Sequence, residues 1–175
     1  QTSERRYQQT HPWLTFKFDF NDLDFESWIL LGEAKSKCVH ISEAPLLPEV
    51  HKELMNVFLV KGALATTAIE GNTLTEDEVD KRIQGKLNLP TSKEYLGKEI
   101  DNIVDAYNLI GSEILDGNST KLDLEKIKIF NKMVLEGLPL EDNVIPGKIR
   151  DYSVGVANYK GAPPEDCIFL MEKYI

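Results

Sequence analysis

Apolar residues recur along most of the chain at steps of three and four, the spacing that lines one side of an α-helix. Phe25, Trp28, Ile29 and Gly32 begin the first such run, which predicts a helix ending near His40. Pro45 and Pro48 punctuate a loop, and a central helix is predicted from about Glu49. Val50, Leu54, Val57, Phe58, Leu64, Ala65 and Ala68 form its apolar stripe. Gly71 suits the position just past its end, where a left-handed backbone is easiest for glycine. Thr75 and Glu78 make a capping-box pair opening a short helix that Gly85 closes, and Thr91 with Glu94 repeats the signature after Pro90. Leu96, Ile100, Ile103, Tyr107, Ile110 and Ile114 carry a near-heptad stripe as far as Asp116-Gly117-Asn118. Asp123 caps a further helix, with Leu122 and Ile127 placed as a hydrophobic staple. Its predicted buried face is Leu124, Ile127, Phe130, Met133 and Val134, and Gly137 stops it.

Two regions break the helical pattern. WLTFKFDF, Trp13 to Phe20, alternates with Leu14, Phe16, Phe18 and Phe20 on one side, which predicts a short strand or extended segment. The polar residues 1–12 before it read as a disordered or loosely docked arm. After Gly137, PLEDNVIPGKIR is a loop, and Tyr152 to Val156 has strand character. ANYKGA, Ala157 to Ala162, has turn chemistry, so a small hairpin is expected. Pro163-Pro164 then leads into a helical CIFLMEKYI. The fold class expected is mainly α, a helical bundle with one β-hairpin near the C-terminus.

Composition narrows the function classes. A chain of 175 residues fits one domain with a real core. Apolar residues make up 42% and charged residues 28%, and the formal net charge of −9 argues against a nucleic-acid binder that neutralises phosphates. No apolar run approaches the ~18–20 residues needed to cross a bilayer, and the polar start has no signal-peptide core. A cytoplasmic chain with no membrane partner is the expectation, and the missing initiator Met fits processing or trimming. Cys38 and Cys167 lack CxxC spacing, which predicts a buried free thiol at each. His11, His40 and His51 stand far apart and are expected at the surface or the core edge. No phosphate-binding glycine loop is present, and Glu76-Asp77-Glu78 suits a helix first turn better than a metal site.

Glu70 stands out because its position is locally unfavourable. In the last turn of the central helix it meets the negative pole of the dipole, at a cost of roughly 0.3–1 kcal/mol when exposed. It is either a solvated surface residue or a carboxylate presented on a rigid helix end to a cation, for which an arginine is well suited.

Thr66, Glu70 and Gly71, continuing as Asn72, resemble the inhibitory-helix motif S/T-x-x-x-E-G/N of the Fic family, in the class that often reads IEGN here. Pro146-Gly147-Lys148-Ile149-Arg150, then Val154-Gly155-Val156, Pro163-Pro164 and Leu170-Met171, resemble that family's approach to its active site. The order there is a PGxxR loop, a hairpin called the flap, a PP turn and an LM-containing helix. The resemblance spans roughly residue 49 to the end, and more loosely the segment from His11-Pro12-Trp13. It divides the chain into an arm, extended segment and helix (1–48), an inhibitory-helix region (49–90) and the start of a Fic-like core (91–175). The family's catalytic signature, H-x-F-x-D/E-G-N-G-R-x-x-R, does not occur. No catalytic residue is therefore expected in these residues, which would be the regulatory part of a longer enzyme.

The resemblance implies an intact protein that transfers AMP from ATP, with Mg²⁺, to a hydroxyl side chain of a target protein, with self-modification also open. Glu70 would pair with the second arginine of the absent motif and deny it to the γ-phosphate. Thr66 would line the same pocket, and Gly71 would free the chain to leave the helix. In the flap, Val154, Gly155, Val156, Asn158, Tyr159 and Lys160 are the candidates for docking a target segment as an added strand. Two rivals stay open: a non-catalytic protein-interaction module, and an antitoxin-like inhibitor of a separate catalytic chain. A homo-oligomer is compatible with each.

Overall fold

A computed structural model describes residues 4–17, 19–117 and 121–175, so that Phe18 and Asn118 lie outside the described residues. It is mainly helical, with one two-stranded antiparallel sheet. The helices are α1 (Arg6–Thr10), α2 (Phe25–Glu43), α3 (Pro48–Ile69), α4 (Glu76–Ile83), α5 (Glu94–Leu115), α6 (Leu124–Leu135) and α7 (Cys167–Tyr174). The strands β1 (Gly155–Val156) and β2 (Tyr159–Lys160) pair Gly155 with Lys160 and Val156 with Tyr159.

The core forms where α3, α4 and α5 meet. Val60, Ala63, Leu74, Val79, Leu96 and Ile100 are buried together there. Burying a Val or Ile side chain completely stabilises by about 1.5–3 kcal/mol, and Val79 and Ile100 are both at 0% exposure. On α3 the buried line is Val60, Ala63 and Thr67, whereas Val50, Leu54, Val57 and Phe58 of the expected stripe are exposed. α3 is apolar on more than one face, and α4 and α5 cover only one of them. The α5 stripe likewise fades, from buried Leu96 and Ile100 to Ile114 at 54% exposure. α6 is half-buried against α5, and buried Asn102 ties the two by donating to the carbonyls of Val134 (3.2 Å) and Glu136 (2.9 Å).

Local signals placed most helix ends correctly. Thr75 Oγ1 accepts from the Glu78 amide, and the Glu78 carboxylate accepts from the Thr75 amide at 2.8 Å, the reciprocal box that opens α4. Asp123 accepts from the Lys126 amide and caps α6, and Asp24 caps α2 through the Ser27 amide. The second box, Thr91 with Glu94, does not form. Thr91–Lys93 is a 3-10 turn, and Arg82 takes the Glu94 carboxylate at 2.8 Å, so that it does not turn back to Thr91.

Four expectations on the flanks are corrected. Among the described residues of 13–20 no strand forms; the chain runs irregularly into a 3-10 turn at Phe20–Asp22, with Phe16 at φ 51. The Tyr152–Val156 strand shrinks to Gly155–Val156. Residues 5–11 are docked rather than loose, with Tyr7 and His11 buried, so that of the two places expected for His11 it takes the inner one. Cys38 is exposed because no residue of α2 is buried, and Cys167 is only half-buried.

Candidate functional site

The C-terminal end of α3 carries the first set of candidate residues. Glu70 is the C-cap of the helix, and Gly71 follows at φ 92. The Asn72 amide donates to the Thr67 carbonyl (3.1 Å) and the Gly71 amide to the Ala68 carbonyl (3.1 Å). This paired closure satisfies carbonyls that a helix end leaves free, and it requires the left-handed residue that glycine supplies. Gly71 therefore does release the chain from the helix at this point.

Asn72 fastens that turn to the core. Its Nδ2 donates to the Leu96 carbonyl (2.9 Å) and to the Glu99 carboxylate (2.7 Å), and its Oδ1 accepts from the Leu74 amide (3.0 Å). Neither this role nor that of Thr67 was read from the sequence. Thr67 is buried and turns its hydroxyl back onto the Ala63 carbonyl at 2.9 Å. An asparagine right after a helix-ending glycine was the available clue, because its amide can bond in two directions at once.

Glu70 itself is exposed, and among the described residues no cation pairs with it. A carboxylate thus stands at the negative pole of α3 on a turn held by six hydrogen bonds, three of the backbone and three of Asn72. Thr66, one turn back on the same face, is exposed and lies 3.3 Å from the Tyr107 hydroxyl of α5. Beside it runs an open groove of about 510 Å³ between α3 and α5, lined by Met55, Phe58, Leu59, Gly62, Tyr107 and Leu115 among others. This apolar lining does not suit a triphosphate. Among the described residues no group of three His, Cys, Asp or Glu could hold a metal ion either. This groove is therefore no site for ATP.

The hairpin carries the second set. Val154, Gly155, Val156, Asn158, Tyr159 and Lys160 are all exposed. Ala157 and Asn158 make the two-residue turn, with Ala157 at φ 50, a backbone that favours glycine. Arg150 closes the base by donating to the carbonyls of Tyr152 and Ala162, on both sides of the hairpin. Upstream, the Gly147 amide donates to Asn131 Oδ1 at 2.8 Å, which anchors the Pro146–Arg150 loop on α6. The PGxxR stretch thus acts locally as a brace for the hairpin. No hydrogen bond or ion pair among the described residues joins the hairpin to Thr66, Glu70 or Gly71.

No known protein family, characterised protein or solved structure matches this chain.

Proposed function

We propose that this chain is the regulatory and target-docking part of an autoinhibited Fic-type enzyme that transfers AMP from ATP to hydroxyl side chains of target proteins. One observation carries the reading most directly: Glu70 is held out from a rigid helix end, in an unfavourable field, with no cation beside it among the described residues. A carboxylate so placed is set to receive an arginine, with both charge and bidentate geometry to offer. Occupying that arginine would withdraw it from the nucleotide and leave the reacting groups out of line. Catalytic rate depends steeply on such positioning. The braced hairpin supports the docking half of the reading, since an exposed strand edge can take up a target segment through main-chain hydrogen bonds.

The test is Glu70→Gly in the protein that carries this chain, incubated with Mg²⁺ and ATP labelled at the α-phosphate. Self-labelling should rise well above that of the unaltered protein. Labelling that is present but unchanged by the substitution would sink the autoinhibition claim.

A second reading, the non-catalytic interaction module, is favoured by α2. This helix has no buried residue, and Phe25, Leu30 and Ile41 are each more than half exposed. Absence of labelling from both proteins, together with a partner retained on α2, would favour that reading over transfer chemistry.

A further inference from the structure

Two buried titratable side chains, His11 and Asp166, stand outside the two candidate sets described above, and both hold the N-terminal segment. Asp166 is 2% exposed and lies in the 3-10 turn that leads into α7. One of its oxygens accepts from the Tyr7 amide at 2.8 Å, and the other from Arg5 Nη1 at 3.2 Å. The Arg5 guanidinium also lies over the Phe169 ring, 3.9 Å from its centroid. Arg6 pairs with Glu165 at 3.2 Å beside it. Carboxylates this deeply buried are costly unless charge and hydrogen bonds compensate them, and here both compensating groups come from the N-terminal segment.

The same segment reaches the hairpin through His11. Its Nε2 lies 2.8 Å from the Lys160 carbonyl oxygen, which only accepts, so Nε2 carries a proton and donates it. Its Nδ1 lies 2.8 Å from Thr10 Oγ1, and the ring packs against Trp13 and edge-on to Tyr159. The register shows which edge it occupies. The Gly161 amide bonds the Val154 carbonyl, and in an antiparallel ladder bonded and non-bonded pairs alternate. Gly155 and Lys160 are then the non-bonded pair, with their main-chain groups turned outward. His11 takes the outward carbonyl on β2, while Gly155 on β1 has no partner for its outward groups among the described residues.

We propose that residues 5–13 form a clamp, anchored by Asp166, in which His11 is a positioning residue that closes the β2 edge and holds the hairpin in place. The β1 edge at Gly155 is then the one left open to an incoming extended segment, a consequence that rests on the docking reading above. Two strands of two residues each are too short to persist unaided, so an external brace matters here.

Residue-resolved hydrogen exchange on the protein without target or nucleotide tests the clamp. Its outcome is therefore independent of the Glu70 experiment. His11→Phe keeps an aromatic ring but loses the donor, and the Val156 and Gly161 amides should exchange about tenfold faster, the scale of losing one hydrogen bond. His11→Gln restores a side-chain N–H at similar reach and should return both amides to within about twofold of the original rate. Asp166→Asn replaces an acceptor by a donor and should free Tyr7 and the hairpin together. Ile100 in the core reports global unfolding, and the opening free energies of Val156 and Gly161 should lie below that of Ile100 in every variant. The clamp is overturned if the Tyr7 amide accelerates while Val156 and Gly161 do not. It is equally overturned if Val156 and Gly161 open only together with Ile100, at the same free energy.

Discussion

Replacing Asn72 with alanine is the sharpest probe of how the Glu70 turn is held. The substitution removes three hydrogen bonds at once: to the Leu96 carbonyl, the Glu99 carboxylate and the Leu74 amide. Neutral bonds contribute about 0.5–1.5 kcal/mol each, and one to a charged group about 1.5–3 kcal/mol. The gross loss is therefore on the order of 2.5–6 kcal/mol. Asn72 is only half-buried, so water reaches part of what is exposed, and Leu96 lies within α5, whose own ladder still uses its carbonyl. A net loss of about 2–3 kcal/mol remains. With a urea slope of about 2 kcal/mol per molar, the midpoint of unfolding should fall by roughly 1–1.5 M at unchanged slope. Circular dichroism through the transition measures this directly. A loss under about 1 kcal/mol would refute the assignment of Asn72 as the fastener, because the bond to the Glu99 carboxylate alone, at about 1.5–3 kcal/mol, should exceed it. Glu99→Gln should reproduce part of the same loss, and the two substitutions together should fall short of the sum.

Two further outcomes follow from charges outside the site. Arg82 grips Asp101 with two hydrogen bonds (2.9 and 2.6 Å) and Glu94 with a third. These contacts, led by the Asp101 bonds, hold its guanidinium well above its ordinary basicity. Arg82→Gln should cost about 1–3 kcal/mol in thermal or urea unfolding, and the loss should shrink in high salt; a salt-independent loss would point to packing instead. Glu78 is held below the usual carboxylate range, first by the Thr75 backbone hydrogen bond and then by the Thr75 hydroxyl. A lowered folded value means the contribution is present above the unfolded-state value and is lost as pH falls through the lowered one. The Thr75 amide should then lose protection on acidification from about pH 6 to about pH 3, and Glu78→Gln should abolish that dependence.

What the sequence made legible was mostly what neighbours in the chain decide. The close of α3 at Gly71 depends on residues 67 to 72, and the α4 box on Thr75 and Glu78, so both could be read locally. The failed second box shows the limit, since Glu94 answers to Arg82, twelve positions away in another element. Alternation from Leu14 to Phe20 suggested a strand, but a strand needs a partner, and none lies alongside among the described residues. Thr66 and Glu70 were singled out by motif, while the partners of Asn72, which fastens the turn, were visible only once α5 stood beside it. For His11 the surface and the core edge both stood open for the same reason: its partner is Lys160, across nearly the whole chain.

That last contact sets an order in time. During vectorial synthesis, α3, α4 and α5 can meet as soon as they emerge, because their core residues lie close in sequence. Arg5, Tyr7 and His11 must wait for Lys160 and Asp166, and His11 precedes Lys160 by 149 residues. Until then Arg150 alone braces the hairpin, and the N-terminal segment is free for other company. The protein thus passes through an interval in which its core is built and its hairpin is not yet held from the N-terminal side.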